Sequence, residues 1–150
     1  MTSPTLSVVS LDHLVLTVAN IERTVGFYTS VLGMEARAFD QGRVALHFGL
    51  QKINLHEVGH VVDGNVRHAT PGSADLCFLT KATMPDVISS LRARGVQIIE
   101  GPSPRTGAQG TMTSVYFYDP DENLIEVAVL DPAPVSPLIP SDISGILKNL

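Results

Sequence analysis

The side chains best suited to chemistry in this 150-residue chain are few and matched in position. His13 lies twenty residues before Gly33, and Asp75 lies twenty before Gly95. Glu126 breaks the otherwise apolar run LIEVAVL, while Asn54 and His56 alternate with Ile53 and Leu55 in KINLHE. Imidazole, carboxylate and amide groups hold divalent ions, and the first two also carry protons. Same-face residues on neighbouring strands can converge on one ion without forming a local motif. Each residue also has a plainer reading. His13 can be a strand histidine bonded to a backbone carbonyl, and His56, beside Glu57, can face solvent at a strand end. Asp75 can simply start a strand or orient His13. An ionised carboxylate in the Glu126 environment costs several kcal/mol unless paired or metal-bound, and a structural salt bridge would also meet that need.

Arg105 and Thr106 lie in GPSPRTGAQGT, which holds three glycines and two prolines and reads as a loop able to receive an anionic substrate through bidentate hydrogen bonds. A solvated loop arginine is the alternative. Tyr116 and Tyr118 share a strand face that is either pocket wall or exterior. Cys77 shares the Asp75 face but reads as a small structural thiol. His60 and His68 fall in a linker, and the sequence does not orient His47. The chain has no nucleophile elbow, P-loop or dinucleotide fingerprint, so covalent hydrolase and nucleotide-binding readings have no support.

The elements that must position these groups form a duplicated unit. In the first copy, residues 11–18 alternate as a strand with His13, Val15 and Thr17 on one face. Asn20 can cap the following helix, whose stripe of Ile21, Val25, Tyr28 and Leu32 ends at Gly33. Three short strands follow at 35–39, 43–48 and 52–57, with Asp40, Gln41 and Gly42 as a hairpin turn. The apolar Ile53 and Leu55 face the helix, so Asn54 and His56 project from the opposite side. Residues 58–73 read as a linker. The second copy opens with the strand at Asp75. Its helix is capped by Thr83, striped by Met84, Val87, Ile88 and Leu91, and ended by Gly95. Strands are then expected at 96–100, 113–118 and 123–130, around the Gly/Pro loop at 101–111.

The fold class expected is α+β, two tandem βαβββ modules over 11–57 and 74–130 within a single domain of residues 1–130. Residues 1–10 read as a frayed lead-in. Residues 131–150 read as a proline-rich tether ending in a short amphipathic helix from Ser141. The size suits two half-modules sharing one core. A net charge of −5 and a pI near 5.4 argue against a polyanion partner. No apolar run approaches the ~20 residues of a membrane span, which excludes that class. A lone cysteine and no secretory leader pattern favour a cytoplasmic location.

These modules, with His13 in the first strand, an acid in the last, and the runs LDHLVLTV, GFYTSVLGM, QKINLHE, PGSADLCF and DPDENLIEV, resemble the vicinal oxygen chelate superfamily. That superfamily comprises glyoxalase I, bleomycin-resistance proteins and extradiol dioxygenases. More narrowly, they resemble the glyoxalase-domain-5 and bacterial virulence-associated types. The resemblance implies curved mixed sheets forming a cup around one divalent metal, completed in several members only across a homodimer. Carried onto this chain, the ligand positions are His13, then Asn54 or His56, then Asp75, then Glu126. A His13, His56 and Glu126 set would suit Fe(II), Mn(II), Ni(II) or Zn(II). Asp75 stands where glyoxalase I has a histidine, and Asn54 occupies a usual carboxylate position. Glu122 replaces a turn glycine, which is expected to push the left-handed residue onto Asn123.

The activity implied is that of a metal-dependent lyase or isomerase acting on a small oxygen-bearing substrate, with the ion as Lewis acid and Glu126 or Asp75 moving a proton. Dioxygenase chemistry with Fe(II) is a second enzymatic option. The alternative is a metal-free, bleomycin-resistance-like binder of small molecules or antibiotics. Asn54, Arg105, Thr106 and Tyr116 are the candidate substrate-binding residues, and a homodimer is the expected assembly.

Overall fold

The computed structural model describes residues 3–60 and 62–132. The expected tail helix from Ser141, and the tether before it beyond residue 132, lie outside the described residues. The first module runs β1 (His13–Val18), α1 (Ile21–Leu32), β2 (Glu35–Phe39), β3 (Arg43–Phe48) and β4 (Gln51–Glu57). The second runs β5 (Asp75–Leu79), α2 (Met84–Ala93), β6 (Glu100–Gly107), β7 (Gly110–Tyr118) and β8 (Leu124–Leu130). Each module forms one four-stranded mixed sheet, ordered β1-β4-β3-β2 and β5-β8-β7-β6, with the first pair parallel and the rest antiparallel. The fold is therefore the expected α+β pair of βαβββ modules. No described helix is long and apolar enough to cross a membrane.

Both helices begin and end by the chemistry their termini carry. Asn20 Oδ1 accepts from Arg23 N at 2.8 Å, and Thr83 Oγ1 accepts from Asp86 N at 3.3 Å, each satisfying an orphan donor of a first turn. Gly33 and Gly95 leave the helices in the left-handed region, at φ 67° and 71°. The apolar stripes then meet in one core. Leu16, Tyr28, Leu46 and Ile53 of the first module join Leu91, Val115, Phe117 and Ile125 of the second. Phe27 packs on Phe117 with ring centroids 6.3 Å apart, and Phe48 meets Phe78 edge-on at 5.3 Å. The helix-bearing sides of both sheets are thus spent on a shared interior, which leaves the opposite sides for function.

The second module differs from expectation at its edge. The residues 96–99 are irregular, and the strand begins at Glu100 and runs through the Gly/Pro segment to Gly107. The loop expected at 101–111 shrinks to Ala108 and Gln109 between paired strands. Prolines deny a sheet their N–H, but β6 is an outermost strand with a partner on one side only, so Pro102 and Pro104 sit where a donor is dispensable. The pairing also shifts register between Glu100 and Ser103, which absorbs the irregular start.

A polar clasp locks the modules together. Asp119 is buried, and its two carboxyl oxygens accept four hydrogen bonds: from Tyr28 Oη (2.7 Å), Asn123 Nδ2 (2.8 Å), Asn123 N (2.9 Å) and Asp121 N (2.9 Å). Asp121 in turn receives Arg23 Nη2 at 2.9 Å and Ala19 N at 3.2 Å, and Asn123 Oδ1 receives Ala74 N at 2.9 Å. Gly72 passes close beneath this turn, where a Cβ would meet Asp121 O at 2.5 Å. The left-handed residue is Glu122 itself, at φ 65°, and not Asn123 as expected. Asn123 is fixed by bonds from its amide, its side chain and its backbone, so the strain falls on its neighbour. Glu122→Gly is expected to stabilise the fold by about 0.5–1 kcal/mol, read as a higher urea midpoint at unchanged slope.

Candidate functional site

The open side of each sheet carries the candidate residues in rows fixed by register. On the first, His13 lies opposite Lys52 and Lys52 opposite His47. Val15 lies opposite Asn54, and Thr17 opposite His56. On the second, Asp75 lies opposite Leu124, while Cys77, Glu126, Tyr116 and Glu100 form one continuous row. Alternation sends Leu14, Leu16, Ile53, Ile125 and Val127 to the core and these side chains away from it.

Glu126 is held by donors on its own face. Ser114 Oγ donates to its Oε2 at 2.9 Å, and Cys77 Sγ to the same oxygen at 3.2 Å. Partial burial pushes its pKa up. The Tyr116 phenol alongside, the Cys77 and Ser114 donors and the Arg105 charge outweigh that and hold the carboxyl below its ordinary range. The carboxylate is therefore charged at neutral pH and half exposed. Cys77 shows the opposite effect: burial first, then the neighbouring Glu126, push its thiol up to about 12. Arg105 is committed within its own face. Its Nε donates to Tyr116 Oη at 2.8 Å, its Nη2 to Glu100 Oε1 at 2.6 Å and its Nη1 to Pro104 O at 2.8 Å. It braces Tyr116 from strand β6 rather than from a loop, and Thr106 follows on the same strand beside a cleft lined by Cys77, Leu79, Met112, Glu126 and Leu130.

The first-module residues are placed differently. His13 is partly exposed, and its Nδ1 meets Asp12 Oδ2 at 2.8 Å. His56 is only 7% exposed, with Nδ1 at 3.3 Å from Asn65 Oδ1, so the inter-module linker reaches back over it. Its Nε2, together with Asn54 Oδ1 two residues earlier on the same face, is buried without a hydrogen-bond partner. Two orphaned polar atoms, one nitrogen and one oxygen, are the kind of donor set a divalent ion or a polar ligand satisfies. Among the described residues, no three His, Cys, Asp or Glu side chains gather at one point, and no side-chain hydrogen bond joins the two open faces. Asp75 stands exposed at the start of β5, on the Cys77 and Glu126 face.

Cys77 and Ser114 are the site residues that sequence reasoning passed over. Cys77 had a signal, since it shares the Asp75 face. Ser114 had none beyond its place in an alternating strand.

Comparison with known proteins decides the family. The model of the Glyoxalase/Bleomycin resistance protein/Dioxygenase superfamily matches residues 10–127. The chain belongs to this superfamily. It is 51% identical over 118 residues to Virulence protein STM3117 of Salmonella typhimurium, covering 79% of this chain and 82% of that protein. It is 49% identical over 123 residues to Glyoxalase domain-containing protein RDO1 of Mycosarcoma maydis, covering 82% of this chain and 69% of the relative. The structure of an integron cassette protein from the mobile metagenome of V. Cholerae superposes with a TM-score of 0.83 at 51% identity, covering 85% of this chain and 99% of that one.

At greater distance the same superfamily fold recurs with divergent functions. A lactoylglutathione lyase from Agrobacterium tumefaciens matches at 22% identity and TM-score 0.62, covering 80% of this chain and 92% of the lyase. The fosfomycin resistance protein FosX of Listeria monocytogenes, solved with Mn(II), matches at 20% and 0.55, covering 81% and 90%. TnmS3, an antibiotic-binding protein of a Streptomyces species, matches at 19% and 0.67, covering 85% and 100%. The same fold is therefore found in a lyase, in a resistance protein solved with Mn(II) and in an antibiotic-binding protein.

Proposed function

We propose that this protein is a metal-dependent enzyme of the glyoxalase-like type, lyase or isomerase, acting on a small substrate with adjacent oxygens. The observation that supports the reading is Glu126, a charged carboxylate held from its own face by Ser114 and Cys77. His13, Asn54 and His56 stand at the corresponding face of the other module, two of them with unpaired buried atoms. A site completed by two copies fits the charges: Lys52, Arg37 and Glu35 in the first-module rows leave one positive charge, and Asp75, Glu126, Glu100 and Arg105 in the second leave two negative.

In such a homodimer, His13 with Asn54 or His56 from one copy and Glu126 with Asp75 from the other would hold the ion. The ion would supply Lewis-acid polarisation of two substrate oxygens. Ser114 and Cys77 fix the Glu126 carboxylate and keep it deprotonated, so that it can take a proton from carbon or oxygen. Tyr116, braced by Arg105, stands beside it to orient the substrate. Asp75, without such donors, is the second candidate proton carrier.

The test is elemental analysis of protein purified without chelators. About one divalent ion per chain is expected, with His13→Ala and Glu126→Gln each weakening its retention at least tenfold while far-UV dichroism stays native. Less than about a tenth of an equivalent, unrestored by Fe, Ni, Mn or Zn, would reject the enzyme in favour of the second reading. That reading is a metal-free binder of a small apolar or cationic molecule. It draws on Asp75 and Asn54, which replace stronger or more usual ligands, and on the anionic Glu126 at the base of an apolar cleft.

A further inference from the structure

The edge of the first sheet holds two cations over one aromatic ring. Phe39 closes β2 directly opposite Arg43, the first residue of β3, and takes no part in the shared apolar interior. The Arg43 guanidinium carbon lies 4.7 Å from the centre of that ring, and Lys52 Nζ lies 4.0 Å from it. The Arg43 contact is local, since the two residues are cross-strand partners. Lys52 comes from further off. It stands on β4 in the row of His13 and His47, and its stem reaches Phe39 only by crossing the row of Asn54, Ala45 and Arg37. Ala45 offers no more than a methyl group to that crossing and is fully buried. Both charges are bounded by their distances to the ring, so they lie no more than about 9 Å apart.

A cation over an exposed aromatic face gains about 0.5–1 kcal/mol, less than the ~2 kcal/mol of rotamer freedom that a lysine can lose, and a second cation at the same ring adds repulsion. Stacking alone does not account for both. Among the described residues neither Arg43 nor Lys52 enters a salt bridge or a side-chain hydrogen bond, even with Asp40 in the turn between β2 and β3. Arg37 beside them is, by contrast, spent on Glu35 at 2.9 and 3.0 Å. Two cations without a counter-ion therefore converge on this side of a chain whose net charge is −5.

We propose that Arg43 and Lys52 bind an anionic oxygen group of the substrate, a carboxylate or a phosphonate, and that Phe39 holds both cations in place before it arrives. An oxyanion between them replaces repulsion with charge-assisted hydrogen bonds, and the planar fork of the arginine can meet two oxygens at once. The inference deepens the function proposed above and rests on its reading of this face as part of a small-molecule site. The adjacent oxygens of the substrate are then the reacting end, and Arg43 with Lys52 select molecules that carry a charged group beyond them. All three residues belong to one chain, so no placement of a second copy is assumed.

The experiment titrates methylphosphonate and propionate separately into the isotope-labelled full chain at low ionic strength, as purified and again after dialysis against EDTA, and follows amide shifts by NMR. Chloride at matched ionic strength is the control. Saturable shifts centred on Phe39, Arg43 and Lys52 are expected with and without EDTA, and about 0.15 M salt should weaken them. The Arg43→Gln, Lys52→Gln double variant is expected to bind at least tenfold more weakly with unchanged far-UV dichroism. Tighter binding of methylphosphonate marks a phosphonate-like end group and tighter binding of propionate a carboxylate, and either supports the inference. Shifts that chloride reproduces, that do not saturate, that vanish with EDTA or that the double variant retains overturn it. Such a failure leaves the metal content of the protein, and the function it tests, untouched. A chain that holds no ion but binds these anions through Arg43 and Lys52 keeps the anion site and loses the enzyme.

Discussion

Asp119→Ala will destabilise the protein by about 3–5 kcal/mol, and the reason lies in what the mutation strands rather than in what it removes. Four donors converge on the Asp119 carboxyl, one of them from α1 of the other module. A buried donor left without an acceptor costs about 1–3 kcal/mol, and water can rescue only those near the surface. Chemical denaturation should show a lower midpoint at unchanged slope, and heating a melting point lower by roughly 10 °C. Tyr28→Phe removes one of the four donors and should cost about 1–2 kcal/mol, less than additively with Asp119→Ala, since both report the same contact.

The pair also sets an alkaline limit. Burial first, then Asp119, push the Tyr28 phenol well above its ordinary value. A group whose pKa is raised by folding contributes stability that is fully present below its unfolded value near 10 and is lost as pH rises beyond it. Wild-type stability should therefore fall above pH 10 with a component that Tyr28→Phe lacks. Identical alkaline profiles for the two proteins would refute this account of the clasp.

Iodoacetamide will alkylate Cys77 some 30- to 50-fold more slowly at pH 8 in the folded chain than in the same chain unfolded in urea. Part of the residue reaches solvent, so access is not the obstacle, while enough of the sulfur is covered to disfavour the thiolate. Its pKa of about 12, raised by burial and by Glu126, cuts the thiolate fraction about 1000-fold relative to an ordinary cysteine, while the greater nucleophilicity of a more basic thiolate recovers roughly 20- to 30-fold. The rate should keep rising with pH beyond 9. Glu126→Gln removes the neighbouring charge but not the burial, and should speed alkylation roughly five- to tenfold. Equal rates in the folded and unfolded chain would mean that the Cys77 to Glu126 hydrogen bond does not hold the thiol. A slow rate that Glu126→Gln leaves unchanged would point to steric cover instead.

The topology was legible because the two helices announce themselves. Asn20 and Gly33, then Thr83 and Gly95, bracket apolar stripes at helical spacing, and alternating residues before each stripe give β1 and β5. The edge strand β6 was not legible. Pro102 and Pro104 read as breakers because a sequence does not say whether a strand has one neighbour or two, and their tolerance depends wholly on that. Glu122 was misjudged for a related reason: the left-handed position in the turn is chosen by the bonds that immobilise Asn123, partners which lie at distant places in the chain.

The site was readable to the level of face and no further. Alternation put His13 with Val15, Asn54 with His56 and Glu126 opposite the core, as the register bears out. What periodicity could not convey was cover. Linker residue Asn65 closes on His56 although residues 58–73 have no period of their own. Arg105 was read as reaching for substrate, yet its donors go to Tyr116, Glu100 and Pro104, a consequence of the β6 pairing that was itself unforeseen.

The clasp around Asp119 also bears on how the duplicated halves relate. Tyr28 lies five residues before Gly33, and the residue five before Gly95 is Ser90, which has no phenol to offer. The β3 to β4 turn of the first half, Gly49 and Leu50, has no acid corresponding to Asp119 or Asp121. A self-paired copy of either half would lack one side of the lock. The repeats have ceased to be interchangeable, so an ancestor built from two identical half-length chains could not be recovered by splitting this gene.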